Sequence, residues 1–225
     1  MDVDSTIEAV WEAMQKLRDA RGGYFGVHGI DIMATLEPEV LWNPRRRKDD
    51  FLVMYANIPI TVGEIRRLRP GTWLSDELIN VYMMLMRGRP RKAALPRCLF
   101  MTSHFYSKLA QQQGKPFCYR DIARWLPSNG FDDYDLVLIP VHHQCHWTLA
   151  VINVQRKRFE YYDPLFGFAK SILQNLRRLT VLHMRKSATQ HDVEQWSEVA
   201  WSLGDGVPAQ VRHSLLHPTV PAHFS

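Results

Sequence analysis

Two side chains in this sequence are spaced so that they could share a proton. His146 opens an apolar run, HWTLAVINV, that ends at Val154, and Asp163 closes the next apolar stretch, Phe159-Glu160-Tyr161-Tyr162. If the two stretches are neighbouring antiparallel strands, the imidazole and the carboxylate come within hydrogen-bonding reach. A carboxylate at that distance fixes the imidazole tautomer and stabilises its protonated form. That is the base half of a nucleophilic triad. Core histidines also bond to carboxylates for purely structural reasons, so the spacing by itself leaves both readings open.

The nucleophile is harder to place. The chain has three cysteines, Cys98, Cys118 and Cys145. Cys145 directly precedes His146, and consecutive residues of an extended strand point to opposite faces, so the two cannot exchange a proton. Cys98 and Cys118 read as buried, inert thiols. Zinc binding by His142, His143, Cys145 and His146 fails on geometry: ligands crowded into five strand residues cannot converge tetrahedrally. The sequence therefore predicts no metal and no cofactor.

The elements that must position His146 and Asp163 are legible. Asp135 to Val141 is an apolar run of the kind a central strand needs. Short polar connections separate it from HWTLAVINV and from Phe159–Tyr162, which predicts three adjacent antiparallel strands. Thr61 and Glu64 form a capping box that opens a short helix ended by Pro70-Gly71. A longer helix is expected from about Ser75, with Asp76 and Glu77 in its first turn, where the helix dipole favours negative charge. Leu78, Ile79, Tyr82, Leu85 and Met86 would be its buried face. A strand-like Cys98–Met101, a short helix from His104 to Gln111 and a helix from Lys170 to Arg185 follow. In the last, Ile172, Leu173, Leu176, Leu179 and Leu182 lie on one side. The mixture predicts an α+β fold.

Residues 1–42 carry eight acidic and three basic residues, a balance of −5 against +5 for the whole chain, so the remainder carries +10. Within them, Ser5 to Arg21 reads as an appended acidic amphipathic helix, with a Ser5/Glu8 capping box and Ile7, Val10, Trp11, Met14 and Leu17 at helical spacing. The run Arg45-Arg46-Arg47-Lys48 suggests an exposed basic loop, either a solvated turn or a nuclear-import signal. The main domain is expected to start near Phe51. The 225 residues favour one large domain, with 46% hydrophobic and 23% charged residues as in ordinary globular chains. The apolar runs are too short to span a bilayer. No nucleic-acid motif is present, so neither a membrane nor a nucleic-acid partner is expected. So few cysteines, in an odd number, exclude a disulfide scaffold and point to nucleus or cytoplasm.

The words around these residues add a resemblance. IPVHHQCHWTLAVINVQRKRFEYYDPLFG, ITVGEIRRLRPGTWLSDELINVYMMLM and IARWLP (Ile122–Pro127) together resemble the ubiquitin-like-protein-specific protease family, the sentrin/SUMO cysteine proteases, in order and spacing. The resemblance implies a papain-like cysteine protease fold of the SUMO-protease type over residues 51–210. It also implies cleavage after Gly-Gly, with SUMO or another ubiquitin-like protein and its conjugates as partners. It makes His146 the general base and Asp163 its orienting partner. It sets Trp147 and Trp73 on either side of a tunnel narrow enough that only glycines pass. Asp76 and Arg124 match positions that contact the body of the modifier. In Val207-Pro208-Ala209-Gln210, Gln210 fits the side chain that lines the oxyanion hole.

One departure from that pattern is large. The family places its cysteine six residues after this glutamine, and here that residue is Leu216, between Leu215 and His217. Leucine has no nucleophilic atom. Ser214 is the nearest hydroxyl and an improbable substitute. Pro218 and Pro221 oppose a helix where the family has its central one. The tail, residues 211–225, is therefore expected to diverge from the family, leaving the C-terminal part of the fold incomplete. A splice variant, a frameshift or a decayed copy would each produce this pattern. The alternative to a working peptidase is a catalytically dead module that still binds ubiquitin-like proteins.

Overall fold

The three apolar runs form the middle of a five-stranded sheet. The structure, a computed structural model, describes residues 44–68, 72–88, 95–110, 117–143, 146–165, 170–184 and 190–201. The amphipathic segment from Ser5 to Arg21, Cys145, Gln210 and Leu216 lie outside them. In chain order the elements begin with a hairpin, β1 (Phe51–Tyr55) and β2 (Ile58–Thr61), followed by helices α1 (Val62–Arg66) and α2 (Asp76–Gly88). Strand β3 (Cys98–Phe100), helix α3 (Ser103–Ala110), helix α4 (Tyr119–Ile122) and a 3-10 turn (Ala123–Trp125) come next. The chain then runs through β4 (Leu136–His143), β5 (His146–Asn153), β6 (Arg158–Tyr162), α5 (Lys170–His183), α6 (Gln190–Glu194) and β7 (Ser197–Trp201).

The sheet has the order β3-β4-β5-β6-β7. The two central pairings, β4 with β5 and β5 with β6, are antiparallel as expected, whereas β3 and β7 join the edges in parallel. Both faces are covered, so β4 and β5 are buried at nearly every position rather than at alternate ones. Leu136, Leu138, Leu149 and Val151 face α2 and the β1–β2 hairpin. Val137, Ile139, Val141, Ala150 and Ile152 face α3 and α5. The connection between β5 and β6 is a tight turn in which Lys157 takes a left-handed φ of 51°.

Local expectations hold in part at the helix starts: the Thr61 half of the capping box forms, whereas the Glu64 carboxylate accepts from the Ser75 hydroxyl. Thr61 caps α1 by accepting from the Glu64 amide at 3.3 Å. Asp76 and Glu77 occupy the first turn of α2, and Leu78, Ile79, Tyr82 and Leu85 are buried. The basic run is a turn held at its edges. Gly63 N donates to Lys48 O at 2.8 Å, and Arg47 N donates to Asp50 Oδ2 at 3.2 Å.

Leu182 departs from expectation. It is 51% exposed, and the buried side of α5 runs through Ile172, Leu173, Leu176, Leu179, Thr180 and His183. Two polar residues with internal partners take the places that hydrophobicity alone would give to Leu182. Cys98 and Cys118 are also half-buried rather than fully buried.

Candidate active site

The site starts from strand register. The β5–β6 ladder pairs Leu149 with Tyr162. One further step sets Asp163 opposite Thr148, the same-face neighbour of His146, so the His146 and Asp163 side chains meet diagonally on one face of the sheet. His146 Nε2 lies 2.9 Å from Asp163 Oδ1, and both residues are buried. A carboxylate only accepts, so Nε2 carries the proton and Nδ1 keeps its lone pair. The imidazole is thereby set in the tautomer a general base needs.

Three further contacts hold Asp163 and the end of its strand in place. Asp163 Oδ1 also accepts from the Leu165 amide at 2.8 Å, closing an Asx turn across Pro164. The Asp163 amide donates to Trp201 O at 3.1 Å, which ties the residue to the end of β7. The Trp201 ring stacks on Tyr162 with centroids 6.3 Å apart and planes 16° apart. The Asp-Pro pair was the available signal for the turn. The β7 contact spans too much sequence to have left one.

Beneath the pair sits Tyr161, fully buried. Burial, with the Asp163 charge as a smaller contributor, raises its phenol well above the usual tyrosine range. Among the described residues its hydroxyl has no partner in strict hydrogen-bond geometry, although the Thr148 side chain lies close enough to offset part of that rise. The nearby Thr148 hydroxyl donates to Val141 O at 3.1 Å.

Trp147, next to His146, points to the opposite face, and its indole Nε1 donates to Leu74 O at 2.9 Å. That bond places the backbone of the Trp73-Leu74 segment against Trp147. Trp73 itself is 40% exposed. The structure thus brings His146, Asp163, Trp147 and the Trp73 segment to one end of the sheet. Asp76 begins α2 two residues after Leu74, and Arg124 is exposed in the 3-10 turn. His142 packs on Trp147 (centroids 4.8 Å apart), and His143 meets His146 edge-on at 6.1 Å. Among the described residues no group of three or more His, Cys, Asp or Glu converges as a metal site would require, and no helix is long and apolar enough to cross a membrane.

Known proteins share this architecture. The chain is 38% identical over 152 residues to ubiquitin-like-specific protease 1A of Arabidopsis thaliana, an overlap of 64% of this chain and 30% of the relative. It is 34% identical over 117 residues to rat sentrin-specific protease 2, covering 52% and 19%. The chain therefore spans less than a third of the length of either. The solved structure of the C-terminal Ulp1 protease domain in complex with Smt3, the yeast orthologue of SUMO, superposes with a TM-score of 0.59 at 21% identity. That superposition covers 80% of this chain and 77% of the other. The sequence pattern of the Ulp1 protease family, C-terminal catalytic domain, matches residues 72–213, a span that includes Trp73, Asp76, Arg124, His146, Trp147, Asp163 and Gln210 and stops before Leu216. With well over half its length inside that match, the chain belongs to the Ulp1 protease family.

Proposed function

We propose that this chain is a cysteine-type peptidase domain acting on a ubiquitin-like modifier of the SUMO type, cleaving after Gly-Gly to mature the modifier or release it from conjugates. The observation that carries the reading is the buried His146–Asp163 hydrogen bond at 2.9 Å, which leaves Nδ1 as the basic nitrogen. In this reading Nδ1 takes the proton of a thiol, and the Asp163 carboxylate stabilises the imidazolium that results. Trp73 and Trp147 wall the path of the terminal glycines, where any Cβ would meet an indole. Asp76 and Arg124 hold the body of the modifier, and the Gln210 amide supports the developing oxyanion. Residues 51–210 form the protease domain, with 1–50 an extension and 211–225 a divergent tail. Nucleus or cytoplasm is the compartment that fits a thiol enzyme of this kind.

A second reading starts from Leu216, which stands where the resemblance places the family's cysteine. A chain that keeps the tryptophan-lined path and the docking residues without a thiol would bind the modifier and release it unchanged. A SUMO-type protein bearing a C-terminal vinyl methyl ester separates the two. A covalent adduct mapped to a cysteine supports the peptidase, and reversible binding with no adduct supports the module. Absence of both adduct and binding would sink both. Intact mass and transcript sequence test the tail directly: Asp-Cys-Gly in frame after Gln210 would restore the peptidase reading in full.

A further inference from the structure

His183 is a buried titratable group that the chemistry above does not use. It sits at the C-terminal end of α5 and is 2% exposed. Its Nε2 lies 2.9 Å from Pro127 O, and its Nδ1 lies 2.9 Å from the Tyr119 hydroxyl. A carbonyl only accepts, so Nε2 carries the proton and Nδ1 accepts from Tyr119. The ring edge rests on Phe131, with centroids 4.6 Å apart.

Both ring nitrogens thus reach the same stretch of chain, one on each side of Arg124. Between Tyr119 and Pro127 that stretch makes only one short helical turn and one 3-10 turn. Ile122 and Leu126 anchor it inward, while Arg124 is exposed and Trp125 is 38% exposed beside it. The two turns are short, so side-chain contacts from outside the segment help to set its register. An apolar residue at position 183 would fill the space, but it would not fix the segment at two points. The strut supplies direction as well as volume.

We infer that His183 is a positioning residue for partner docking: by gripping Tyr119 and Pro127 it holds residues 119–127 in the register that presents Arg124 and Trp125 together to the modifier. The inference rests on the modifier-binding reading above, and it holds for peptidase and binding module alike, since no nucleophile enters it.

The test uses the full chain, as wild type, Tyr119→Phe and His183→Phe, with mature SUMO ending in Gly-Gly as the probe. Backbone hydrogen exchange reads the segment and calorimetry reads binding. In His183→Phe, exchange over 119–131 should quicken about tenfold while the β4–β5 ladder stays protected, and binding should weaken by about tenfold, the scale of two lost hydrogen bonds. Tyr119→Phe should give a smaller change of the same kind, and the double variant should be no weaker than His183→Phe alone. Unchanged exchange at 119–131, or faster exchange with wild-type affinity, would overturn the inference. If His183→Phe fails to fold, Tyr119→Phe carries the same test, because it removes one oxygen from a half-buried residue. A wild-type chain that binds no SUMO sinks the docking reading, and the exchange result still decides whether the strut orders the segment, so the two failures are separable.

Discussion

Asp163 meets His146 at Nε2, and the same carboxylate oxygen accepts from the Leu165 amide, so one atom sets both the tautomer of the ring and the turn that carries the acid. Asp163→Asn should disturb both functions. An amide can present either a donor or an acceptor to the ring, so the Nε2–H form loses its enforced preference. Long-range 1H–15N spectra of His146 should show a single Nε2–H tautomer in the wild type and a mixture in the variant. Stability should fall by about 2 kcal/mol, the usual scale for a charged hydrogen bond. An unchanged tautomer would show that Asp163 does not set it.

Trp147 ties the sheet to the segment that bears Trp73 through one indole hydrogen bond. Trp147→Phe keeps most of the ring and removes the donor. It should cost about 1 kcal/mol in urea unfolding. Trp147→Ala also empties a buried site and should cost about 3–5 kcal/mol. Equal losses for the two variants would mean that the hydrogen bond, rather than packing, dominates.

The buried Tyr161 phenol gives a prediction with an unusual sign. Its folded-state pKa is raised by burial. The proton is therefore held more tightly in the native state than in the unfolded one. That contribution is complete below the ordinary tyrosine value near 10 and is lost as pH rises beyond it. Tyr161→Phe should remove this share of the alkaline destabilisation. Because the hydroxyl has no partner in strict geometry among the described residues and only Thr148 nearby, the variant should be close to neutral at pH 7, within about 1 kcal/mol. Urea midpoints at pH 7 and above pH 10 check both halves, and a clear loss of stability at pH 7 would refute the first.

Arg177 clamps α5 onto the chain entering β7. Its guanidinium donates to Val193 O, Glu194 O and Trp196 O at 2.7–2.8 Å and to Glu198 Oε1 at 2.7 Å, and it lies 4.9 Å from the centre of the Phe159 ring. Lysine is a point charge and cannot fork to four acceptors. Arg177→Lys should therefore lose most of what Arg177→Ala loses, about 2–3 kcal/mol. Full rescue by lysine in urea unfolding would leave only the charge as important.

The strands and caps were legible because they are written in local chemistry. The runs ending at Val141, Val154 and Tyr162 are apolar and evenly spaced, and the Thr61 cap needs only its neighbour three residues on. What was missed depends on distant partners or on polar burial. The β1–β2 hairpin turns on Ala56 and Asn57, both at positive φ (48° and 66°), and alanine is a poor signal for such a turn. β7 is a short segment with two exposed polar residues, and only its pairing with β6 makes it a strand. Leu182 was misplaced because hydrophobicity cannot foresee that His183 would be buried with both ring nitrogens occupied. At the candidate site, the His146–Asp163 pairing could be read from strand order. The Asp163-Pro164 pair carried a signal for the Asx turn, whereas the Trp201 anchor left none.

The turn at Lys157 has a further consequence. It joins the strands that bear His146 and Asp163, so only 17 positions separate the two. Closing so short a loop costs little entropy, and the pairing belongs to the fast, local part of assembly. Beyond that hairpin, the Leu165 amide and the Trp201 carbonyl also hold Asp163. The pair is thus set mainly by its own hairpin, whatever residues follow β7.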